Sequence, residues 1–511
     1  MVTAAVNVGH ATDPSLGSVP DRVAIVVDGR SYTYRQLEAL IGQVASALAE
    51  AGVGPGDRVA LVDLGSALSV ATIYAAARLG AASAQMNAYL TPGELTQLVD
   101  LVGARVGVAG SRFRSNLGAA MTGPVLGEDD VLSALPGTGA PLEVAGDAAA
   151  LVLFTSGTTG LPKPIFISHQ VVADRLAYYA KPIDPDAAQP VDMMSAPIFH
   201  IGGTLGLLIS LHSGKQTVLL PKFDAGEWLD LVARYRVAQT FVVPAMLRRI
   251  LNHPRFATTD LSSLQALSYG AAAAPVDLVR RALAALPEVD FTNTFGQTET
   301  LGAYAALTPA DHRRGDRLGS VGRPFPGVEL RIVDPATEEP VAPGGIGEFL
   351  VRATQNTTSD WLRTGDSGWQ DDEGYLFVSG RLSDTINRGG EKFGPVEVEE
   401  AIRSHPGVID VGVVGIPDRD LGERVGAVVV VAEPTSAESL VNYCASLLAT
   451  YKVPEYLVFA PELPFSALGK LDRQALRALL GEAPAIPRAR GASGAPGPGS
   501  GEVSAAPRPG E

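Results

Sequence analysis

The nine residues Thr155-Ser156-Gly157-Thr158-Thr159-Gly160-Leu161-Pro162-Lys163 bring hydroxyls, glycines and a cation together in one short stretch. Glycine lets a backbone approach a ligand closely and take positive φ. Free amides and hydroxyls can then wrap phosphate oxygens, and a lysine adds charge. The chemistry this offers is a grip on a phosphate chain. No Gly-Lys-Ser/Thr follows at P-loop spacing, so the loop is of another kind. Composition alone also suits a surface turn. The order of the residues, and matches far downstream, favour the phosphate loop.

Those matches are Phe295-Gly296-Gln297-Thr298-Glu299, Thr364-Gly365-Asp366, Gly380-Arg381-Leu382-Ser383-Asp384 and Gly469-Lys470. In order, they resemble the YGxTE, TGD, GRxxD and C-terminal GK motifs of the adenylate-forming superfamily, which holds acyl-CoA synthetases, stand-alone adenylation domains and luciferases. The first loop resembles that family's TSGTTGxPK signature. The resemblance covers roughly residues 20 to 480, and five motifs in family order make it specific.

The resemblance implies roles for individual residues. Thr155, Ser156, Thr158, Thr159 and Lys163, on a backbone opened by Gly157 and Gly160, would hold the departing pyrophosphate of ATP. Glu299 would bind Mg²⁺, which typically takes one or two carboxylates plus phosphate oxygens. Thr298 would touch the α-phosphate. Ala271, Asn293, Thr294, Phe295 and Gly296 would line the nucleotide. Asp366 would accept hydrogen bonds from the ribose, and Arg381 would contact ribose or phosphate. Lys470 would bridge carboxylate and α-phosphate from a mobile C-terminal domain. That domain would then rotate, and Gly389 and Gly390 would let a pantetheine arm pass. For His200 two readings stand: contact with the acid, or core packing. Val242, Val243, the run Tyr269-Gly270-Ala271-Ala272-Ala273 and Phe295 would wall an apolar acid pocket, with Gly270 keeping room for the acyl group.

Three departures from the family pattern matter. Pro164 follows the loop lysine. Ser383 stands at the hinge position. Residues 353–360 form a shortened crossing between two motif-bearing segments.

The elements that must position these residues follow from apolar periodicity. Residues 23–27, 58–62, 148–154, 216–220 and 240–243 read as strands, and 34–51 and 225–235 as helices. Alternation of the two types predicts an α/β domain with a largely parallel sheet. Residues 328–333 and 347–352 read as antiparallel strands of a small β subdomain. Helix 396–404, strands 408–415 and 426–432, and helix 437–451 predict a compact α+β lid. The expected domains are 1–382 (AMP-binding), 383–482 (mobile lid) and a disordered Pro/Gly-rich tail at 483–511.

Composition narrows the function classes. A net charge of −15 opposes a nucleic-acid surface, which needs basic patches. No apolar run reaches the about 18 residues of a membrane span. The single cysteine, Cys444, excludes an internal disulfide and is expected to pack in a core. With no secretion signal in the first residues, the expectation is a cytoplasmic monomer or homodimer.

The function these features predict is an ATP-dependent carboxylic acid–CoA ligase using ATP, Mg²⁺ and CoA on an aromatic or medium-chain acid. The alternatives are an enzyme loading a carrier-protein pantetheine, a nitrite-activating diazotase, and a non-catalytic nucleotide-binding protein.

Overall fold

The computed structural model describes residues 7–133, 141–155, 162–179, 181–358, 360–465 and 471–481. Its packing divides into one unit of Met1–Thr385 with Pro464–Asp472 and another of Ile386–Leu463 with Arg473–Glu511. The tail expected at 483–511 lies outside the described residues.

The large unit is built on two α/β sheets. Residues buried on both faces of a parallel strand read as continuous apolar runs, and Val59 to Val62 and Ala150 to Leu153 are all but fully buried. The six-stranded sheet carries strands Arg58–Val62, Ala82–Met86 and Ala149–Thr155 in parallel and ends on the antiparallel strand Lys163–Ser168. The nine-stranded sheet runs through Gln239–Val242, Ala266–Gly270 and Asp290–Gln297 in parallel, and then turns antiparallel at Gly302–Leu307.

One core serves both sheets. It joins Ile25 and Leu219 of the larger sheet to Leu61 and Leu151 of the smaller. Helix Ala67–Arg78 is buried along its whole length. Six of its residues are alanine or valine, as suits a helix with no solvent face. Its start is fixed by Ser66, which accepts from the amide of Ser69 in a capping box. Helix Tyr34–Glu50 is likewise capped by Thr33 and Gln36.

A third sheet of the large unit is four-stranded and antiparallel: Glu329–Val333, Gly347–Arg352, Leu362–Gln370 and Leu376–Arg381. It contains the two segments read as antiparallel from sequence.

The small unit folds a sheet of Ile386–Arg388, Glu391–Phe393, Val408–Asp418, Gly422–Val431 and Tyr456–Phe459 against helices Pro395–Arg403, Ala437–Leu447 and Arg473–Leu480. The helix expected at 437–451 ends sooner. Leu448 is extended (φ −118°, ψ 151°), and a separate turn at Thr450–Lys452 leads to the buried Val453. Cys444 is buried in this core, and burial pushes its thiol up to about 11. Packing is therefore its role, as expected.

Candidate active site

Strand Ala149–Thr155 delivers the phosphate loop at its C-terminal end, and Lys163 opens the returning strand directly opposite Thr155. Ser156, Gly157, Thr158, Thr159 and Gly160 lie outside the described residues. Lys163 is exposed, and Pro164 takes its place in the strand opposite Phe154.

The second motif arrives from the other sheet. Strand Asp290–Gln297 ends in the single turn Thr298–Thr300, held by Thr300 Oγ1 accepting from the Gln297 amide at 3.0 Å. Leu301 then takes φ +44° and the chain reverses. Gly296 is required here. A Cβ on it would sit 2.0 Å from the Gly302 carbonyl oxygen, because the two strands close tightly over a bulge. The outcome is that the Thr155 hydroxyl faces the Glu299 carboxylate, with Oγ1 and Oε1 3.5 Å apart. Residues 144 positions apart in the chain thus meet.

The Asp290–Gln297 strand also holds Asn293, buried, and Thr294, whose hydroxyl donates to the Tyr269 carbonyl at 3.2 Å. The Phe295 ring packs edge-on against Tyr304 and Phe349, with centroids 5.2 and 6.4 Å away.

The third and fourth motifs meet across the antiparallel sheet. Asp366 and Arg381 are register partners on strands Leu362–Gln370 and Leu376–Arg381. Asp366 is only 6% exposed, and Arg381 Nε lies 2.9 Å from its Oδ1. Burial, and next the Asp366 charge, hold the Tyr304 phenol well above its ordinary range, so it stays neutral. Gly389 and Gly390 form the two-residue turn of a hairpin in the small unit, both with positive φ (62° and 93°), as such a turn demands. Lys470 lies outside the described residues.

Ala271 follows strand Ala266–Gly270 and takes φ +64°, with its side chain exposed. That conformation costs an L-residue on the order of 1–2 kcal/mol. Ala271→Gly is therefore expected to raise stability by about 1 kcal/mol, read as a higher urea midpoint. An unchanged or lower midpoint refutes the strain.

The acid pocket needs correcting. Val242, Val243 and Tyr269 do not wall an open channel. They are buried in a closed core with Leu247, Leu267 and Phe291. The Tyr269 hydroxyl donates to His312 Nε2 at 2.9 Å, because His312 Nδ1–H is committed to the Thr308 carbonyl. Gly270 leaves no acyl space either: a Cβ there would lie 2.2 Å from the backbone oxygen of Thr294. It is a glycine because two strands approach closely.

Strand alternation explains the error: it puts Phe241 on the face opposite Val242. A Cβ on Gly202 would lie 3.5 Å from the Phe241 ring, which is half-buried. Gly202 belongs to helix Ile201–His212, whose N-cap is His200, with the His200 ring 4.4 Å from Phe199. Phe241, half-buried at the edge of that same core, lies beside the His200 helix start.

Among the described residues, no three His, Cys, Asp or Glu side chains converge as a metal cage. Glu299, a carboxylate beside the Thr155 hydroxyl, fits magnesium's usual mode of one or two carboxylates completed by phosphate and water. No helix among the described residues is long and apolar enough to cross a membrane.

Comparison with known proteins agrees with this geometry. Residues 15–359 match the family of AMP-binding enzymes, and residues 397–470 match the AMP-binding enzyme C-terminal domain. The chain is 34% identical to the indoleacetate–CoA ligase of Aromatoleum aromaticum, over 92% of this chain and 97% of the relative. It is 32% identical to a feruloyl-CoA synthase of Amycolatopsis, over 90% and 96%. Among solved structures, the anthranilate CoA ligase AuaEII in complex with anthranoyl-AMP is similar at a TM-score of 0.83 and 26% identity, covering 93% of this chain and 97% of that one.

Proposed function

The chain belongs to the family of AMP-binding enzymes, and on that premise we propose that it joins an aromatic or medium-chain carboxylic acid to CoA through an acyl-adenylate. It is an AMP-forming acid–thiol ligase. In the first step the carboxylate oxygen attacks the α-phosphorus of ATP, and the bridging bond to the β-phosphate breaks, releasing pyrophosphate. In the second the CoA sulfur attacks the acyl carbon and AMP leaves.

The observation that carries this reading is the meeting of Thr155 and Glu299. It brings the hydroxyl that ends the first motif's strand to the carboxylate of the second motif. In this reading Thr155 and Lys163 grip the departing pyrophosphate, and Thr298 orients the α-phosphate. Asp366 holds the ribose, with Arg381 beside it, and Lys470 supplies positive charge where the carboxylate attacks. Glu299 would hold magnesium, which when bound supplies charge neutralisation on the phosphates. Gly389 and Gly390, a turn without side chains, would leave room for a pantetheine arm.

The test is pyrophosphate and AMP release over a panel of indoleacetate, ferulate, anthranilate and medium-chain fatty acids, with and without CoA. The expected result is acid-dependent pyrophosphate release, with a CoA thioester formed when CoA is present. Release of pyrophosphate without thioester overturns the CoA assignment in favour of a carrier-bound thiol. No acid-dependent release from any of these acids overturns the substrate class.

A further inference from the structure

The shortened crossing at 353–360 ties into a buried arginine that the reaction scheme does not use. Arg175 lies on helix His169–Tyr179 and is 2% exposed. Among the described residues it forms no salt bridge. An interior cation without a counter-charge is costly, so its hydrogen bonds carry the weight. Its Nη1 donates to Gln355 Oε1 at 2.7 Å, and its Nη2 donates to the Ala303 carbonyl at 2.7 Å and to the Tyr179 hydroxyl at 3.1 Å. Gln355 Nε2 donates to the same Ala303 carbonyl at 3.1 Å. The guanidinium also lies 4.9 Å from the Tyr179 ring centre and 5.8 Å from that of Phe325.

This closed triangle fixes Gln355 against the strand that begins at Gly302. Two residues on, the amide of Thr357 donates to the Glu299 carbonyl at 2.9 Å. Asn356 between them is buried and pinned to the Val351 carbonyl at 3.0 Å. Glu299 sits in a single helical turn, which carries few bonds of its own, and the crossing supplies an outside bond to it. A short crossing has little slack. Its register against Glu299 is therefore set by the side-chain anchors just before that bond, Gln355 to Arg175 and Asn356 to Val351.

We propose that Arg175 is a positioning residue for Glu299, acting through Gln355 and the Thr357 amide to fix the carboxylate that faces the metal–nucleotide. The proposal rests on the reading of Glu299 as the metal-binding carboxylate. Partners that orient a metal ligand from behind are typically worth roughly 10–100-fold in metal affinity.

The test measures Mn²⁺ binding by electron paramagnetic resonance in the presence of a non-hydrolysable ATP analogue. Wild type is compared with Gln355→Leu, Arg175→Met, Arg175→Lys and Glu299→Gln. Gln355→Leu and Arg175→Met are expected to weaken Mn²⁺ binding about 10-fold. Arg175→Lys, which keeps charge but loses the planar fork, should fall between them and wild type. Unchanged Mn²⁺ affinity in Gln355→Leu, with or without a lower melting temperature, overturns the proposal. Gln355 is half-buried, so that variant decides the matter if Arg175→Met does not fold. If Glu299→Gln weakens binding while Gln355→Leu does not, only the linkage fails. If Glu299→Gln also binds as tightly as wild type, the metal reading fails with it.

Discussion

Replacing Lys470 with alanine is expected to lower the rate of adenylation by about 10²–10³ while leaving thioester formation from a supplied acyl-adenylate near wild type. The attacking carboxylate and the α-phosphate are both anionic, so the first step brings like charges together. A cation between them is worth most when the new bond is half made. Thioester formation brings a thiol to a neutral acyl carbon and has no such need. The C-terminal family match extends to residue 470 itself, and the Gly469-Lys470 pair is the basis for the role. The measurement is pyrophosphate release for the first step and AMP release from synthetic acyl-AMP plus CoA for the second. Equal loss in both overturns a role confined to adenylation.

Asp366→Ala should raise the Kd for ATP by roughly 10–100-fold, since hydrogen bonds to a charged group contribute about 1.5–3 kcal/mol. The carboxylate is held in place by its neighbours. Its amide donates to Thr364 Oγ1 at 3.1 Å, and that hydroxyl is anchored to the Phe349 carbonyl at 2.8 Å. Arg381, on the next strand, places its Nε 2.9 Å from Asp366 Oδ1. The decisive comparison is ATP against 2′-deoxyATP. Wild type should discriminate between them and Asp366→Ala should not. If the variant still prefers ATP by the same factor, Asp366 does not read the ribose. Affinity for the acid should stay constant throughout.

Much of this site was legible because its chemistry sits at strand ends. Thr155 ends a buried apolar strand, which announces itself in sequence, whereas the strand before Glu299, Asp290–Gln297, is largely polar and only its terminal motif was legible. Helix Ala225–Tyr235 was readable to the residue because its apolar face repeats at helical spacing and Asp224 caps it. The Asp366–Arg381 pair was not legible as a pair. Cross-strand register depends on a bulge between Ser367 and Gly368 that no local pattern announces. The pocket residues failed for a related reason. Val242 and Phe241 are equally apolar, and only the packing of other elements on the sheet decides which one is fully buried and which half-buried. Arg175 carried no signal, since an arginine on a helix ordinarily marks a solvated face.

Strand Val23–Val27 has a consequence for how the chain is made. It is paired on one side with Arg30–Thr33, immediately after it, and on the other with Gln216–Leu219, where Ile25 is the partner of Thr217. A ribosome adding about 5–20 residues per second reaches the second partner roughly 10–40 s after the first. The six-stranded sheet, complete by Ser168, can close within that interval. The nascent N-terminal hairpin, paired within itself, still lacks its second neighbour, and it offers an apolar strand with one open hydrogen-bonding edge. The emerging chain is therefore most in need of a chaperone before residue 220 is made, and it commits to the nine-stranded sheet only after its first strand has waited for a partner nearly two hundred residues behind it.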